Sequence, residues 1–492
     1  MKQKDQNIKK RTAARTLPLR DGGVFSWRFV AVLSLMGCIA IEILFNLLPV
    51  DHDTLLLFWF YPASLLLVAQ LYFNLRFAKH FEIKLLLAFL AWSCTTVVLN
   101  FRRAQLVDSY GWFASACTTI FLCFSLPYAF TKDGAKRVIT LLAITTVVSV
   151  TLLSVLSLIA VYATDIAAKV PSVFEGIGIT AGRLGIDTHP NRSATGLAAA
   201  VILAGYLIAQ TKQAWRRIAW ALCGVICFVP LALTVSRTAI IAAGIGVGFE
   251  VFLALQVSLQ EKMRAALRWV LSTLAACLVI VALYQGATMV GQASNDMIAR
   301  LEPVAIAQAQ QSTDTQETEV PAALESGDSV FVPRDLSDAD SLNGRTDIWL
   351  GVWNGLLENP KILAFGTGPM VAGELMIPYF PVGSPLGLFH NSLLGTLVSF
   401  GVVGLLFVLA FLVLVAVSAF KLSFGNLKSA ETLAVRMLPA MLLFAVAEGM
   451  MEDFLFAYGS LNIVWIWLMI AAGFVLRMGK QEPETIEDAA KL

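Results

Sequence analysis

The chain has 492 residues, 58% of them hydrophobic and only 14% charged, and its mean hydropathy is +0.74. A soluble domain cannot hide that much apolar surface, and many runs exceed the roughly 18 to 20 apolar residues that cross a bilayer. A polytopic helical membrane protein is expected, and a net charge of +2 gives no reason to expect a nucleic-acid partner.

A basic tail over 1–28 runs straight into the first apolar segment, which does not fit a cleavable signal. Apolar runs then predict five spans near 29–50, 55–75, 83–100, 111–130 and 138–163, and four more near 192–210, 218–235, 238–256 and 268–290. A polar stretch over 291–390 follows, with three last spans near 391–420, 433–450 and 455–476 and a tail over 477–492. The expected fold is therefore an all-α integral membrane protein of about twelve transmembrane helices, with a large loop between spans nine and ten carrying short helices.

Charge orients the set. The tail residues Lys2, Lys4, Lys9, Lys10, Arg11, Arg15, Arg20 and Arg28 share one face with short basic connections such as Arg76/Lys79/Lys84, Lys212/Arg216/Arg217 and Lys262/Arg264/Arg268. By the positive-inside rule that face is cytoplasmic, with both termini inside and the long loop outside. The opposite face holds few cations, among them Arg183, Arg192, Arg237, Arg300, Arg334 and Arg345, which topology does not require. The cysteines all fall in apolar runs, and Cys223 and Cys227, four apart, read as packing residues rather than a metal pair.

Within the loop, 302–341 is rich in Gln, Ser, Thr, Asp and Glu and reads as a disordered insert. Residues 343–360 carry a helical pattern, with Asn343 as cap and Ile348, Trp349, Val352, Trp353, Leu356 and Leu357 on one face, suited to lying on the membrane or on the span ends. Arg345 falls in its first turn, where a cation opposes the helix dipole. Two readings stand open for it: an arginine reaching lipid phosphate, or an anion site built with the helix's N–H groups. Phe365-Gly366-Thr367-Gly368-Pro369 is a turn able to present backbone amides.

His390 opens span ten. It is either a capping or interfacial histidine or, as neutral imidazole, a proton acceptor for a hydroxyl. Thr234-Val235-Ser236-Arg237-Thr238 places a cation at the junction of spans seven and eight, and Asp187-Thr188-His189-Pro190-Asn191-Arg192 opens span six, where His189 and Arg192 read first as capping residues. Glu448, Glu452 and Asp453 close the last hairpin; they pair with arginines, position an acceptor, or mark a solvated turn.

Ser236-Arg237-Thr238-Ala239, Gly344-Arg345-Thr346-Asp347-Ile348-Trp349, Gly366-Thr367-Gly368 and His390-Asn391-Ser392-Leu393, in that order, resemble the O-antigen ligase and polymerase superfamily of bacterial envelope glycan transferases, most firmly over about 185–420. The resemblance implies a GT-C-like fold in the bacterial cytoplasmic (inner) membrane, with a site on its extracytoplasmic face. It implies transfer of a glycan from a polyprenyl (undecaprenyl) diphosphate carrier to a hydroxyl of a glycan or lipid acceptor, by ligase or polymerase chemistry in cell-surface polysaccharide synthesis. Arg237 and Arg345 then match the arginines that hold the diphosphate, joined by Gly366 and Gly368 and with Arg192 as a further candidate. His390 matches the loop histidine, as base or acceptor-positioning group. The family uses neither metal nor other cofactor. Two guanidinium groups offset the leaving diphosphate's charge while one base activates the hydroxyl for in-line attack, which implies inversion.

The alternative from another class is a transporter or flippase for lipid-linked sugar, for which twelve spans with both termini inside is a common format. Two similar halves and charges near mid-membrane would favour it. The distinctive charges here sit at one face instead, Glu42 in span one apart.

Overall fold

The computed structural model describes residues 36–37, 40, 81–100, 132–174, 177–180, 183–186, 190–312, 345–368, 372–381, 389–424 and 432–452. The spans expected near 29–50, 55–75, 111–130 and 455–476 lie outside the described residues, a few positions in the first excepted. The other expected spans are helices: α1 (Phe81–Leu99), α2 (Lys132–Tyr162), α5 (Pro190–Gln210), α6 (Ala214–Leu233), α7 (Arg237–Ser258), α8 (Ala265–Ser312), α12 (Ser392–Phe424) and α13 (Thr432–Gly449). Within them, Ile139–Tyr162, Ser193–Gln210, Ala214–Leu233, Arg237–Ser258, Ala265–Ile298 and Ser392–Lys421 are each long and apolar enough to cross a membrane. Between α2 and α5 lie the single turns α3 (Thr164–Ala167) and α4 (Pro171–Phe174), and the polar loop carries α9 (Arg345–Glu358), α10 (Pro360–Phe365) and α11 (Ala372–Met376).

Two differences from the sequence reading stand out. Strands β1 (Ile177–Thr180) and β2 (Arg183–Ile186) pair antiparallel, Ile177 opposite Ile186 and Thr180 opposite Arg183, so the fold is not purely helical. The Ser193 hydroxyl pins this hairpin to the start of α5, donating to the Ile186 carbonyl at 2.5 Å and accepting from its N–H at 3.1 Å. Second, α8 does not stop near residue 290. It continues to Ser312, so the first part of the expected 302–341 insert is helix. Residues 313–344 lie outside the described residues.

The main core is shared by α2, α5, α6, α7 and α13, with Leu142, Leu197, Ile202, Leu231 and Phe444 fully buried in it. Small residues let α7 run through the middle: a Cβ on Gly244 would sit 3.1 Å from Ile280 Cα of α8, and one on Gly248 would sit 2.9 Å from the Ala276 carbonyl. In lipid, where burial of apolar surface gives helices no mutual advantage, such close backbone approach is a principal source of association. Cys227 is buried there beside the Thr151 hydroxyl, the packing role its spacing suggests.

A second unit surrounds a break in α12. Gly401 has φ +69, a left-handed conformation that interrupts the helix ladder. The carbonyls just before the break take donors from elsewhere: Val398 from the Thr367 N–H at 2.9 Å, Ser399 from the Gly368 N–H at 2.9 Å, and Phe400 from the Trp92 indole N–H of α1 at 2.7 Å. Asn100 adds a bond from its side-chain amide to the Gly366 carbonyl at 3.1 Å. Ile348, Val352 and Leu356 of α9 are buried against Met376, Phe389, Leu397 and Val398. Leu350, Trp353 and Leu357 form a separate exposed apolar stripe on the same helix.

Candidate active site

The start of α12 and the end of α13 are stitched together residue by residue. Asn391 caps α12, its side-chain oxygen accepting the N–H groups of Leu393 and Leu394 at 3.0 Å each. Its side-chain amide donates to the Met450 carbonyl at 3.1 Å. Ser392 donates to the Glu452 carbonyl at 2.7 Å. On α13, Met451 and Glu452 turn their N–H groups back to the Glu448 carbonyl, both at 2.9 Å, which carries Glu452 just past the helix end. The side chain that caps α12 is therefore that of Asn391, not that of His390.

His390 itself has φ +49, a conformation that costs a residue with a Cβ about 1 kcal/mol or more and persists where surroundings impose it. The neighbouring Phe389 carbonyl is held by the Trp349 indole N–H of α9 at 2.9 Å. Fixed from both sides, the imidazole brings Nδ1 within 3.1 Å of Glu452 Oε2. The other carboxylate oxygen, Oε1, lies 2.5 Å from Arg345 Nη2 and accepts the Asn191 side-chain amide at 2.7 Å. Arg345 and Glu452 are 12% and 13% exposed, shielded enough from water for their attraction to matter. Arg345 is therefore not an arginine reaching out to lipid: α9 turns its first residue inward onto a carboxylate contributed from 107 positions further along the chain.

Arg345 Nη1 also approaches the Thr238 hydroxyl at 3.5 Å. That threonine follows Arg237, the first residue of α7, so the Arg345 side chain reaches the residue next to Arg237. The turn delivering Arg237 contains Val235 at φ +51, an outlying conformation for a β-branched residue. The Thr234 carbonyl accepts Arg183 Nε at 2.8 Å, and Arg183 Nη2 also donates to the Asn191 side-chain oxygen. One turn deeper, the buried Glu448 takes the Thr195 hydroxyl at 2.8 Å through Oε1, and its Oε2 has no hydrogen-bond partner among the described residues. Helices α5 and α13 thus face each other in matched steps of four, Asn191 to Glu452 and Thr195 to Glu448.

The remaining expected site residues fall elsewhere. The Gly366, Thr367 and Gly368 N–H groups donate to the Ile362, Val398 and Ser399 carbonyls. The expectation of a turn with amides to offer a ligand is corrected accordingly: the Gly366 amide closes the end of α10, and those of Thr367 and Gly368 hold the α12 break. Arg192 lies in the first turn of α5. Its side chain, together with His189 and Asp453, is outside the described residues. Arg183 stood out in the sequence only as one of the outer-face cations and Asn191 only as part of the span-six opening, since Thr234 and Glu452, to which they bond, lie far along the chain.

Residues 222–409 match the family model described as O-antigen ligase. The match supports the O-antigen ligase and polymerase superfamily for this stretch of the chain. The matched stretch holds Arg237, Arg345, Gly366, Gly368 and His390, the motifs on which the resemblance rests. Glu452, Asn191 and Arg183 lie outside it, so the carboxylate joining the arginine and histidine of the O-antigen ligase stretch comes from beyond the matched residues. No curated protein matches the chain.

Proposed function

We propose that the protein transfers a glycan from a polyprenyl diphosphate carrier, undecaprenyl diphosphate by family analogy, to an acceptor hydroxyl. The transfer takes place at the extracytoplasmic face of the bacterial inner membrane, as a ligase or polymerase of cell-surface polysaccharide. The family match over residues 222–409 supports the reaction class, and the Arg345–Glu452–His390 cluster carries the residue assignment. The orientation follows from the basic clusters on the other face.

The chemistry is as follows. An acceptor oxygen attacks the anomeric carbon, its proton passes to His390, and the bond from that carbon to the diphosphate breaks, leaving the carrier diphosphate as the anion. Glu452 beside Nδ1 favours the imidazole tautomer that carries its proton there and its basic lone pair on Nε2. Arg237 and Arg345 answer the charge that builds on the leaving diphosphate, an electrostatic contribution that grows toward the transition state. Arg345 retains donors beyond the one turned to Glu452, since a guanidinium has five. Attack opposite the leaving group gives inversion. Glu448, Asp453 and Arg192 remain candidates for holding acceptor or diphosphate.

The reading is tested with purified protein in vesicles containing a lipid-linked glycan and candidate acceptors. Wild type is expected to form the transfer product and Arg345→Ala to lose it. Full transfer by Arg345→Ala, or movement of lipid-linked glycan across the membrane without bond formation by wild type, overturns the reading.

A further inference from the structure

We infer that Arg183, on the β-hairpin and outside the family-matched stretch, is a positioning residue of this site. It acts through two branches: Asn191 to the Glu452 carboxylate, and Thr234 to the turn that delivers Arg237. The inference rests on the glycan-transfer reading above.

The geometry is that of a fork. Nε and Nη2 lie on one edge of the planar guanidinium; Nε donates to the Thr234 carbonyl at 2.8 Å and Nη2 donates to the Asn191 side-chain oxygen. By occupying that oxygen, Arg183 fixes which way the Asn191 amide points, and so directs its nitrogen at Glu452 Oε1, 2.7 Å away. Glu452 then has one oxygen held by two donors and the other left to His390. On the other branch, the Thr234 carbonyl precedes Val235, whose φ of +51 must be imposed by its surroundings. Arg183 bridges that turn to the α5 start, while Ser193 holds β2 in place beneath it. A lysine would keep the charge but not the two-point fork.

The test measures kcat and KM for the lipid-linked donor in vesicles, for Arg183→Gln, Arg183→Lys and Asn191→Ala, each alone and combined with Glu452→Gln. Asn191→Ala keeps the Thr234 branch and removes the Glu452 branch, so it decides the matter if Arg183→Gln does not fold. Each single variant is expected to lower kcat about tenfold with KM within about twofold, since small misplacements of reacting groups are costly. In the Glu452→Gln background the further loss from Asn191→Ala is expected to shrink to less than about twofold, because residues on one path are not additive, while the Arg183 variants keep the share of their loss that runs through Thr234. Full kcat in the Arg183 and Asn191 variants overturns the inference, and so does the same fold-loss from Asn191→Ala in both backgrounds. Recovery by lysine with a change confined to KM would assign Arg183 to direct phosphate binding instead. If wild type makes no product, or His390→Ala transfers at the full rate, the underlying reading falls and this inference with it. Normal loss in His390→Ala beside an unaffected Arg183→Gln sinks the inference alone.

Discussion

Glu452 Oε2 lies 3.1 Å from His390 Nδ1, across a contact between the end of one membrane helix and the start of another. The same carboxylate reaches Arg345 at 2.5 Å. An acid that holds both an imidazole and a guanidinium sets the direction of two groups with different tasks, and its removal affects both.

Glu452→Gln keeps the size of the side chain and removes its charge. The imidazolium that forms during hydroxyl activation then loses its counter-charge, and Arg345 loses its ion pair. Turnover is expected to fall about 100-fold, the scale of general-base effects. The rate of glycan transfer in vesicles checks this; a Glu452→Gln rate equal to wild type excludes the assignment.

Asn391→Asp separates capping from stitching. An aspartate still accepts the Leu393 and Leu394 N–H groups but cannot donate to the Met450 carbonyl, so it places two acceptors face to face. Helix α12 is expected to keep its cap while the α12–α13 junction loosens, giving a larger loss of transfer than of thermal stability. Asn391→Ala removes cap and stitch together and should cost about 1 kcal/mol more in the unfolding of the purified protein.

The glycines of the α10 turn are expected to behave differently from one another. A Cβ at Gly366 would press into the backbone of Ser399 and Phe400, 2.6 Å from Phe400 Cα, whereas one at Gly368 meets nothing within 4 Å. Both have positive φ, so each alanine carries about 1 kcal/mol of backbone strain. Gly366→Ala adds the clash and should lower the thermal midpoint well beyond Gly368→Ala. Equal midpoints would mean that the turn does not pack on the α12 break.

Leu350, Trp353 and Leu357 form an exposed apolar stripe on α9. Such a helix face belongs in lipid. Vesicles made with brominated lipid are expected to quench Trp353, so that Trp353→Phe protein loses a measurable share of the total quenching. No difference between the two proteins would place this face in water.

Much of the architecture was legible because hydrophobic run length reports directly on membrane helices, and α2, α5, α6, α7 and α12 fall where such runs predict. The α8 extension was not, since 291–312 is polar enough to lose the membrane signal while staying compatible with helix. The hairpin left a trace that length-based reading passes over: Ile177-Gly178-Ile179-Thr180 and Arg183-Leu184-Gly185-Ile186 flank a two-residue Ala181-Gly182 link. In the site, Arg237, Arg345 and His390 were recognisable by motif order. Their mutual arrangement was not, because it depends on Glu452, 107 residues from Arg345 and 62 from His390. Asn391, beside His390, takes the capping role that the sequence offered as one reading of His390.

The central claim is that His390 accepts the acceptor's proton during transfer. The most direct measurement is the single-turnover rate of glycan transfer from a lipid-linked donor, by purified protein in vesicles, for wild type and His390→Ala. The account predicts a fall of about 100-fold or more with donor binding retained. A His390→Ala rate equal to that of wild type would contradict it.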